Sequence, residues 1–372
     1  MKKILALILT MAMIVAALTG CTGTTVVIGE CTCPCVTEDT AAAPEAEPEA
    51  APEAAPEAAP EAATGALKTG MSISTNLADS TSAAADANGV AKYDLTLAAV
   101  VVDEAGVIQS CVIDSVPASV EFDTKGVITS DVAAAVPTKN EMGADYGMVA
   151  WGGAIAEWDA QVAAVADYAV GKTVEELKNG DIDMTTGKAK DGTDLQSSAT
   201  IYLAGYVYAI EAAVNNAQAL GAQAGDELVL VTDNSVSDST SADAENAGLA
   251  QLYTTAAAVT RNGDVITSCY IDSVQAKVEF DTTGTITTDL SAPVQTKNQL
   301  GENYGMVAWG GAIAEWNEQA ASFAAYITGK TADEVAGIAI DEATKPADGS
   351  DLASSVTISI GGFQSLIAKA MQ

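Results

Sequence analysis

From Tyr93 to Val102 the chain is rich in β-branched and apolar residues, and Val107 to Asp114 follows after a turn at Asp103–Gly106. Two such runs across a short polar turn predict a hairpin. The counterpart turn further along, Arg261-Asn262-Gly263-Asp264, contains Asn-Gly, a strong hairpin signal. A third strand is predicted to include Ser119–Phe122, with a short hairpin around Gly126 and again around Gly284. The apolar spacing then lengthens. Ile155, Trp158, Val162, Val165 and Ala169 fall three and four apart, as do Ile313, Trp316, Ala320, Phe323 and Ile327. That spacing predicts helices with one apolar face. A second short helix is predicted after Gly171-Lys172-Thr173, with Thr173 as N-cap and Glu175 and Glu176 in its first turn. A polar loop and an apolar segment follow, Ile201–Leu220 or Ile358–Met371. Strands followed by helices indicate an α+β fold, each unit a small antiparallel sheet packed with helices.

These patterns come in two copies. Tyr146 to Trp158 recurs unchanged as Tyr304 to Trp316, 158 residues on, and the same shift maps Cys111 to Cys269 and Asp114 to Asp272. The unit is far longer than a solenoid repeat, so each copy is expected to be a domain. The boundary is set near Gly221–Gly225, giving a first repeat at 66–222 and a second at 223–372.

The first 65 residues follow a different logic. Lys2 and Lys3 precede an apolar stretch, Ile4–Leu18, which runs into Leu18-Thr19-Gly20-Cys21. The stretch is short for a membrane span and reads as a signal peptide, residues 1–20. Leu-x-Gly-Cys resembles the lipobox of bacterial lipoproteins, which implies cleavage before Cys21 and lipidation of its thiol. Residues 21–65 form an acidic stalk: Pro44, Pro48, Pro52, Pro56 and Pro60 recur every four residues, each followed by Glu. Proline and repelling carboxylates oppose a regular helix, so this Pro/Glu/Ala segment is expected to be disordered and extended, reaching roughly 60–70 Å. Cys31, Cys33 and Cys35 read either as a redox or metal clasp or as thiols that merely oxidise; their spacing fits no standard zinc knuckle, and no metal site is predicted. Cys111 and Cys269, in matching strands, read as buried structural residues.

Charge and composition narrow the function. The 372 residues carry a formal charge of −34, which disfavours nucleic acid and direct binding to anionic headgroups. Histidine is absent, which removes His-based acid–base catalysis, Ser–His–Asp triads and His-ligated haem.

The chemistry is expected in the polar loop near the end of each copy, Asp194-Leu195-Gln196-Ser197-Ser198-Ala199-Thr200 and Asp351-Leu352-Ala353-Ser354-Ser355-Val356-Thr357. Hydroxyls just before a helix suit an anion, though they are also ordinary caps. This pattern resembles the flavin-attachment motif of the FMN-binding domain family, which includes the FMN-carrying subunits of the Rnf and Nqr redox complexes and extracellular flavin lipoproteins. In that family the motif is roughly Asp-x-x-Ser/Thr-Gly-Ala-Thr, and a flavin transferase esterifies the last Thr with FMN. The resemblance implies Thr200 and Thr357 as acceptors, with Asp194, Asp351, Ser197, Ser198, Ser354 and Ser355 around the cofactor. Ser198 and Ser355 replace the usual glycine and Val356 the alanine, so covalent and non-covalent FMN binding stand as alternatives.

All four tryptophans lie in the duplicated segment. Trp158 and Trp316, on the helix stripe, are assigned to the core. Trp151 and Trp309, beside Gly152-Gly153 and Gly310-Gly311, read either as core or as walls of an isoalloxazine pocket. Lys139-Asn140 and Lys297-Asn298 read as a solvated turn, with a phosphate or carboxylate contact as the alternative. No catalytic residues are evident. The expectation is a membrane-anchored, extracytoplasmic FMN protein that carries electrons between a redox donor and acceptor rather than a stand-alone enzyme. The alternative is a solute-binding or adhesin lipoprotein built on a degenerate flavin domain. Replacing Cys21 with Ala is expected to leave an unprocessed precursor on an immunoblot; a C21A chain that is still cut and still partitions into detergent would remove the lipobox assignment.

Overall fold

Each repeat opens with a three-stranded meander in which alternate side chains point to opposite faces. The computed structural model describes residues 66–372. The segments read as signal peptide and stalk, with Cys21 and the Cys31–Cys35 cluster, lie outside the described residues. Strands β1 (Lys68–Asn76), β2 (Gly89–Val102) and β3 (Ile108–Phe122) pair antiparallel in that order. Helices α1 (Lys139–Met142), α2 (Met148–Gly152), α3 (Trp158–Ala169) and α4 (Val174–Asn179) follow. A short hairpin, β4 (Ile182–Asp183) with β5 (Lys188–Ala189), precedes α5 (Asp194–Ser198) and α6 (Ala204–Asn215). The second repeat runs β6 (Glu227–Ser235), β7 (Gly248–Asn262), β8 (Val265–Phe280), α7 (Lys297–Leu300), α8 (Met306–Gly310), α9 (Trp316–Ile327), α10 (Ala332–Ala336) and α11 (Gly361–Ala370). The fold is thus mixed α and β with small antiparallel sheets, as the pattern predicted. Thr173 caps α4 in a capping box with Glu176.

Four details depart from the sequence-based expectation. First, β1 and β6 were not predicted: Lys68–Asn76 is largely Ser, Thr and Gly and lacks a β-branched run, whereas Glu227–Ser235 has one in Leu228-Val229-Leu230-Val231-Thr232 that was missed. Second, β3 is one continuous strand of 15 residues rather than two. Pro117 lies within it opposite Asp94, tolerated because β3 pairs only with β2 and lies at the sheet edge. Third, α3 and α9 start at their tryptophans, so Ile155 and Ile313 lie outside the helical stripe and are more than half exposed. Fourth, the last helices begin at Ala204 and Gly361, a few residues later than the apolar segments suggest.

Both faces of each sheet are buried. In β2, Ala98, Val100 and Val102 meet α3 and α6 through Trp158, Val162, Val165, Val207 and Ile210. Leu95, Leu97, Ala99 and Val101 face the other way, into a core shared with Leu252, Ala256, Ala258 and Val274 of the second repeat. The layers run helices, sheet, sheet, helices. A pseudo-twofold relates the halves: Ser72 pairs with Ala98 in one sheet as Val231 pairs with Ala257 in the other. Near that axis the rings of Phe122 and Phe280 stack with centroids 3.9 Å apart and planes 2° from parallel. Reciprocal hydrogen bonds close the interface. Ala83 N–H donates to Gly284 O and Ala242 N–H to Gly126 O, both at 2.8 Å. Gly126 and Gly284 adopt φ of +67° and +70°, and a Cβ on either would lie about 2.6 Å or less from a backbone oxygen of the opposite repeat. Only glycine satisfies that turn and that approach together.

Truncating Phe122 or Phe280 to Ala is expected to destabilise the protein by about 3–5 kcal/mol each. Because the two rings share one contact, the double variant should cost less than the sum of the singles. Chemical denaturation checks this; strictly additive losses would show that the stack does not couple the repeats.

Candidate functional site

The two threonines singled out by the motif are held in the same way in both repeats. Gln161 on α3 is fully buried, and its Nε2 donates to Ala156 O at 2.8 Å. Its Oε1 accepts from Thr200 N–H at 2.8 Å and from Thr200 Oγ1 at 3.2 Å. Gln319 on α9 repeats this with Ala314 O at 2.8 Å, Thr357 N–H at 2.7 Å and Thr357 Oγ1 at 3.2 Å. A buried carboxamide must satisfy both ends, and here each end has a backbone partner. Ala199 and Leu203 are buried on either side of Thr200, while Thr200 itself is exposed and Thr357 half-buried. The glutamine was missed by sequence reasoning, although Trp-x-x-Gln recurs at 158–161 and 316–319.

The serines behave differently from an anion cradle at a helix start. Ser197 Oγ donates to Asp194 O at 2.7 Å and Ser354 Oγ to Asp351 O at 2.8 Å. Ser198 Oγ donates to Asp194 O at 3.4 Å and Ser355 Oγ to Leu352 O at 3.3 Å. They close their own short turns, whereas α6 and α11 begin beyond them without a side-chain cap. The intervening segment is tied to the β4–β5 hairpin, where Leu203 N–H donates to Gly187 O at 2.6 Å. Asp194 is exposed in the first turn of α5, and Asp351 is exposed at the matching place. Ser355 has a φ of −121°, so this position requires no glycine.

Beside Thr200 lies a cleft of about 580 Å³, lined by Thr186, Lys188 and Lys190 of the hairpin and by Gln196, Ala199 and Thr200. Asp183 and Asp191 also reach it. In the second repeat Ala347 stands where Lys190 does, and Thr344, at φ +56°, stands where Gly187 does. Thr344 Oγ1 hydrogen-bonds Ser359, the counterpart of Tyr202. The two threonines therefore share a backbone setting but not a surrounding.

Trp151 and Trp309 are 88% and 87% exposed and do not line the Thr200 cleft. Each is held on a short, fixed helix. Glu157 accepts the first N–H groups of α2, from Met148 at 2.8 Å and Val149 at 3.1 Å. Glu315 does the same for α8 at 2.9 and 3.0 Å. Trp158 and Trp316 are buried in the core, as their helical spacing predicted.

The expectation of a solvated Lys-Asn turn is overturned. Lys139 and Lys297 are buried. Lys297 Nζ lies 4.8, 4.9 and 4.8 Å from the ring centres of Tyr253, Tyr304 and Trp316 and donates to Tyr253 Oη at 2.9 Å. Lys139 Nζ lies 5.2 and 5.1 Å from Tyr146 and Trp158 and 3.7 Å from the Asp94 carboxylate. The turn is drawn inward because Asp114 accepts Asn140 N–H and Asp272 accepts Asn298 N–H, at 3.2 and 3.0 Å. Burial raises both carboxyls, Asp272 to about 6, against hydrogen bonds from Thr296, Asn298 and Ser273 and the charge of Lys297. Burial also pushes the Tyr253 phenol up, but Lys297 and the Ser273 and Thr255 hydroxyls outweigh it and leave the phenol below its ordinary value. Cys111 and Cys269 are free thiols pushed up to about 12 by burial, which suits structural rather than reactive cysteines.

Among the described residues, no cluster of His, Cys, Asp and Glu could hold a metal ion, and no helix is long and apolar enough to cross a membrane. Comparison of the chain with protein-family models, with curated proteins and with solved structures gives no significant match.

Asp272 titrates near 6 in the fold against about 4 in an unfolded chain. The stability it supplies is complete below pH 4 and is lost as pH rises through 6, a change on the order of 2–3 kcal/mol. Asp272→Asn is expected to remove that component, so denaturation midpoints of wild type and variant should diverge between pH 4 and 7. A parallel pH dependence in both proteins would sink the assignment.

Proposed function

We propose that the chain is a lipid-anchored, extracytoplasmic FMN-binding protein that carries electrons, and that Thr200 is the position that takes the cofactor. The observation that carries this reading is an exposed threonine, fixed through its N–H by a buried glutamine, opening on a cleft that holds Lys188 and Lys190. A phosphate ester needs an accessible hydroxyl and cationic or hydroxylic neighbours, and Thr200 has both. When bound, FMN would supply the redox chemistry. The chain's own part is to hold Thr200 on Gln161, present its Oγ to a flavin transferase and offset phosphate charge with the two lysines. Thr357 fits less well, since Ala347 replaces the second lysine and the Thr344–Ser359 contact takes the place of the Gly187–Tyr202 pair. The acidic stalk would keep the domains clear of the membrane, within reach of a redox donor and acceptor.

A second reading, a solute-binding or adhesin lipoprotein on a degenerate flavin domain, is favoured by one observation. Trp151 and Trp309 expose nearly their whole side chains from braced helices, away from the Thr200 cleft. An exposed tryptophan, apolar in body and polar at its N–H, is a side chain suited to an interaction surface.

Co-expression with a flavin transferase separates the readings. Wild type should show in-gel flavin fluorescence after denaturation and an FMN adduct on the tryptic peptide containing Thr200. Thr200→Val should abolish both, while Thr357→Val leaves most of the signal. A colourless protein with unmodified peptides at both threonines rules out covalent carriage, and absence of bound FMN in the native protein as well removes the flavin reading altogether.

A further inference from the structure

Each half raises one tryptophan from a glycine-rich tip, and the two tips are built alike. A Cβ on Gly147 would lie 3.3 and 3.4 Å from Cε3 and Cδ2 of Trp151, and one on Gly305 would lie 3.0 and 3.4 Å from the same atoms of Trp309. Each indole therefore rests against bare glycine backbone, at φ of +79° and +81°, with its other face open to solvent. The space beside the ring is clear: a Cβ on Gly152, Gly153, Gly310 or Gly311 would meet no atom within 4 Å. No residue from Tyr146 to Ala156, or from Tyr304 to Ala314, carries a charge. Glu157 and Glu315, which follow, have both carboxylate oxygens occupied by N–H groups of α2 and α8. The tips also stand away from the end of the fold that the stalk joins. There Lys68 pairs with Val102. Trp158, at the foot of the first tip, has its ring 5.1 Å from Lys139 Nζ, which reaches Asp94. Asp94 lies about 25 Å along β2 from Val102 at about 3.3 Å per residue. The second half runs in the same direction, since Thr69 Oγ1 meets Ser268 Oγ at 2.6 Å near the Lys68 end and Phe122 stacks on Phe280 at the other.

We propose that the two tips bind a neutral β-1,4-linked glycan of glucose or N-acetylglucosamine units, with one sugar ring stacked on each of Trp151 and Trp309. Every ring substituent of such a unit is equatorial, so its axial C–H bonds form an apolar face that fits an indole while its hydroxyls stay in water. An uncharged ligand suits a tip without charged groups. Asp145 and Glu302, the nearest charges before the tips in the chain, disfavour an anion. A stable protein–protein interface buries about 800 Å² on each partner, more than Val149, Trp151 and Ile155 of one tip supply, whereas a sugar ring needs only the indole face. A ring already held against glycine backbone loses little freedom on binding. Two identical tips suit a ligand whose unit repeats, because a polymer matrix held at one tip is presented to the other at raised effective concentration. The placement of the tips away from the Lys68 end directs them to material beyond the anchoring membrane. The proposal rests on the second reading above, with the tips as the binding part, and is independent of flavin attachment.

Retention of the full-length chain, reconstituted in phosphatidylcholine nanodiscs, on cellulose and chitin beads tests it, with empty nanodiscs as the blank. Retention on at least one of the two is expected, with release by cellohexaose or chitohexaose and none by polygalacturonate, an anionic glycan. Trp151→Ala or Trp309→Ala alone should weaken retention several-fold, and the double variant should abolish it. Both side chains lie outside the core, so the variants should keep the wild-type denaturation midpoint. No retention above the blank on either glycan would overturn the proposal, as would retention that the double variant keeps. Tryptophan-dependent retention on phenyl-agarose with none on cellulose or chitin would overturn the glycan assignment but leave the tips as an interaction surface. Absence of tryptophan-dependent retention on all three would remove the second reading as well.

Discussion

The burial of one sheet face against the other is the contact on which the rest of the structure depends. Leu95, Leu97, Ala99 and Val101 have no solvent-free position without Leu252, Ala256, Ala258 and Val274 of the other repeat. A sheet with one face on its own helices and the other bare would expose a large apolar surface. Small side chains make the packing close: Ala99, Ala256 and Ala258 are all fully buried in that shared core. Joining the halves in one chain converts a dimer contact into an intramolecular one and removes its dependence on concentration.

A frame tied this way presents its functional groups in pairs and at fixed positions. Gln161 and Gln319 each link a core helix to a threonine, so the setting of the hydroxyl is determined by the core and not by loop preference. The Lys–Asn turn works in the opposite sense. Buried Asp114 and Asp272 draw it in, and the lysines are stabilised by aromatic faces together with Asp94 in one half and the Tyr253 hydroxyl in the other. Burial raises both of these carboxyls.

Period, capping and repetition were legible in the sequence. The helix at Trp158, the capping box at Thr173 and the glycine turns at 126 and 284 need only local rules. What was not legible depends on distant partners. β1 has few strand-forming side chains and exists because β2 offers it a ladder and the second sheet covers it. β3 continues through Pro117 because no strand pairs with its outer side at that point. Apolar residues on both faces of β2 are compatible with two separate domains or with a shared core, and sequence periodicity does not distinguish them. At the candidate site, Thr200 and Thr357 were found from their motif, but the cleft that makes them unequal arises from the β4–β5 hairpin, whose residues read only as a polar loop.

The two halves also separate what packing requires from what it does not. Within the unchanged segment 146–158, Glu157 and Trp158 have evident structural tasks: one closes the start of α2, the other fills the core. Val149, Trp151 and Ile155 have none, being 46%, 88% and 55% exposed, and their counterparts are exposed to nearly the same degree. The Thr200 cleft, by contrast, differs between halves at the residues that line it. The frame thus keeps its outward tryptophans alike in the two halves while the side chains beside its two threonines differ.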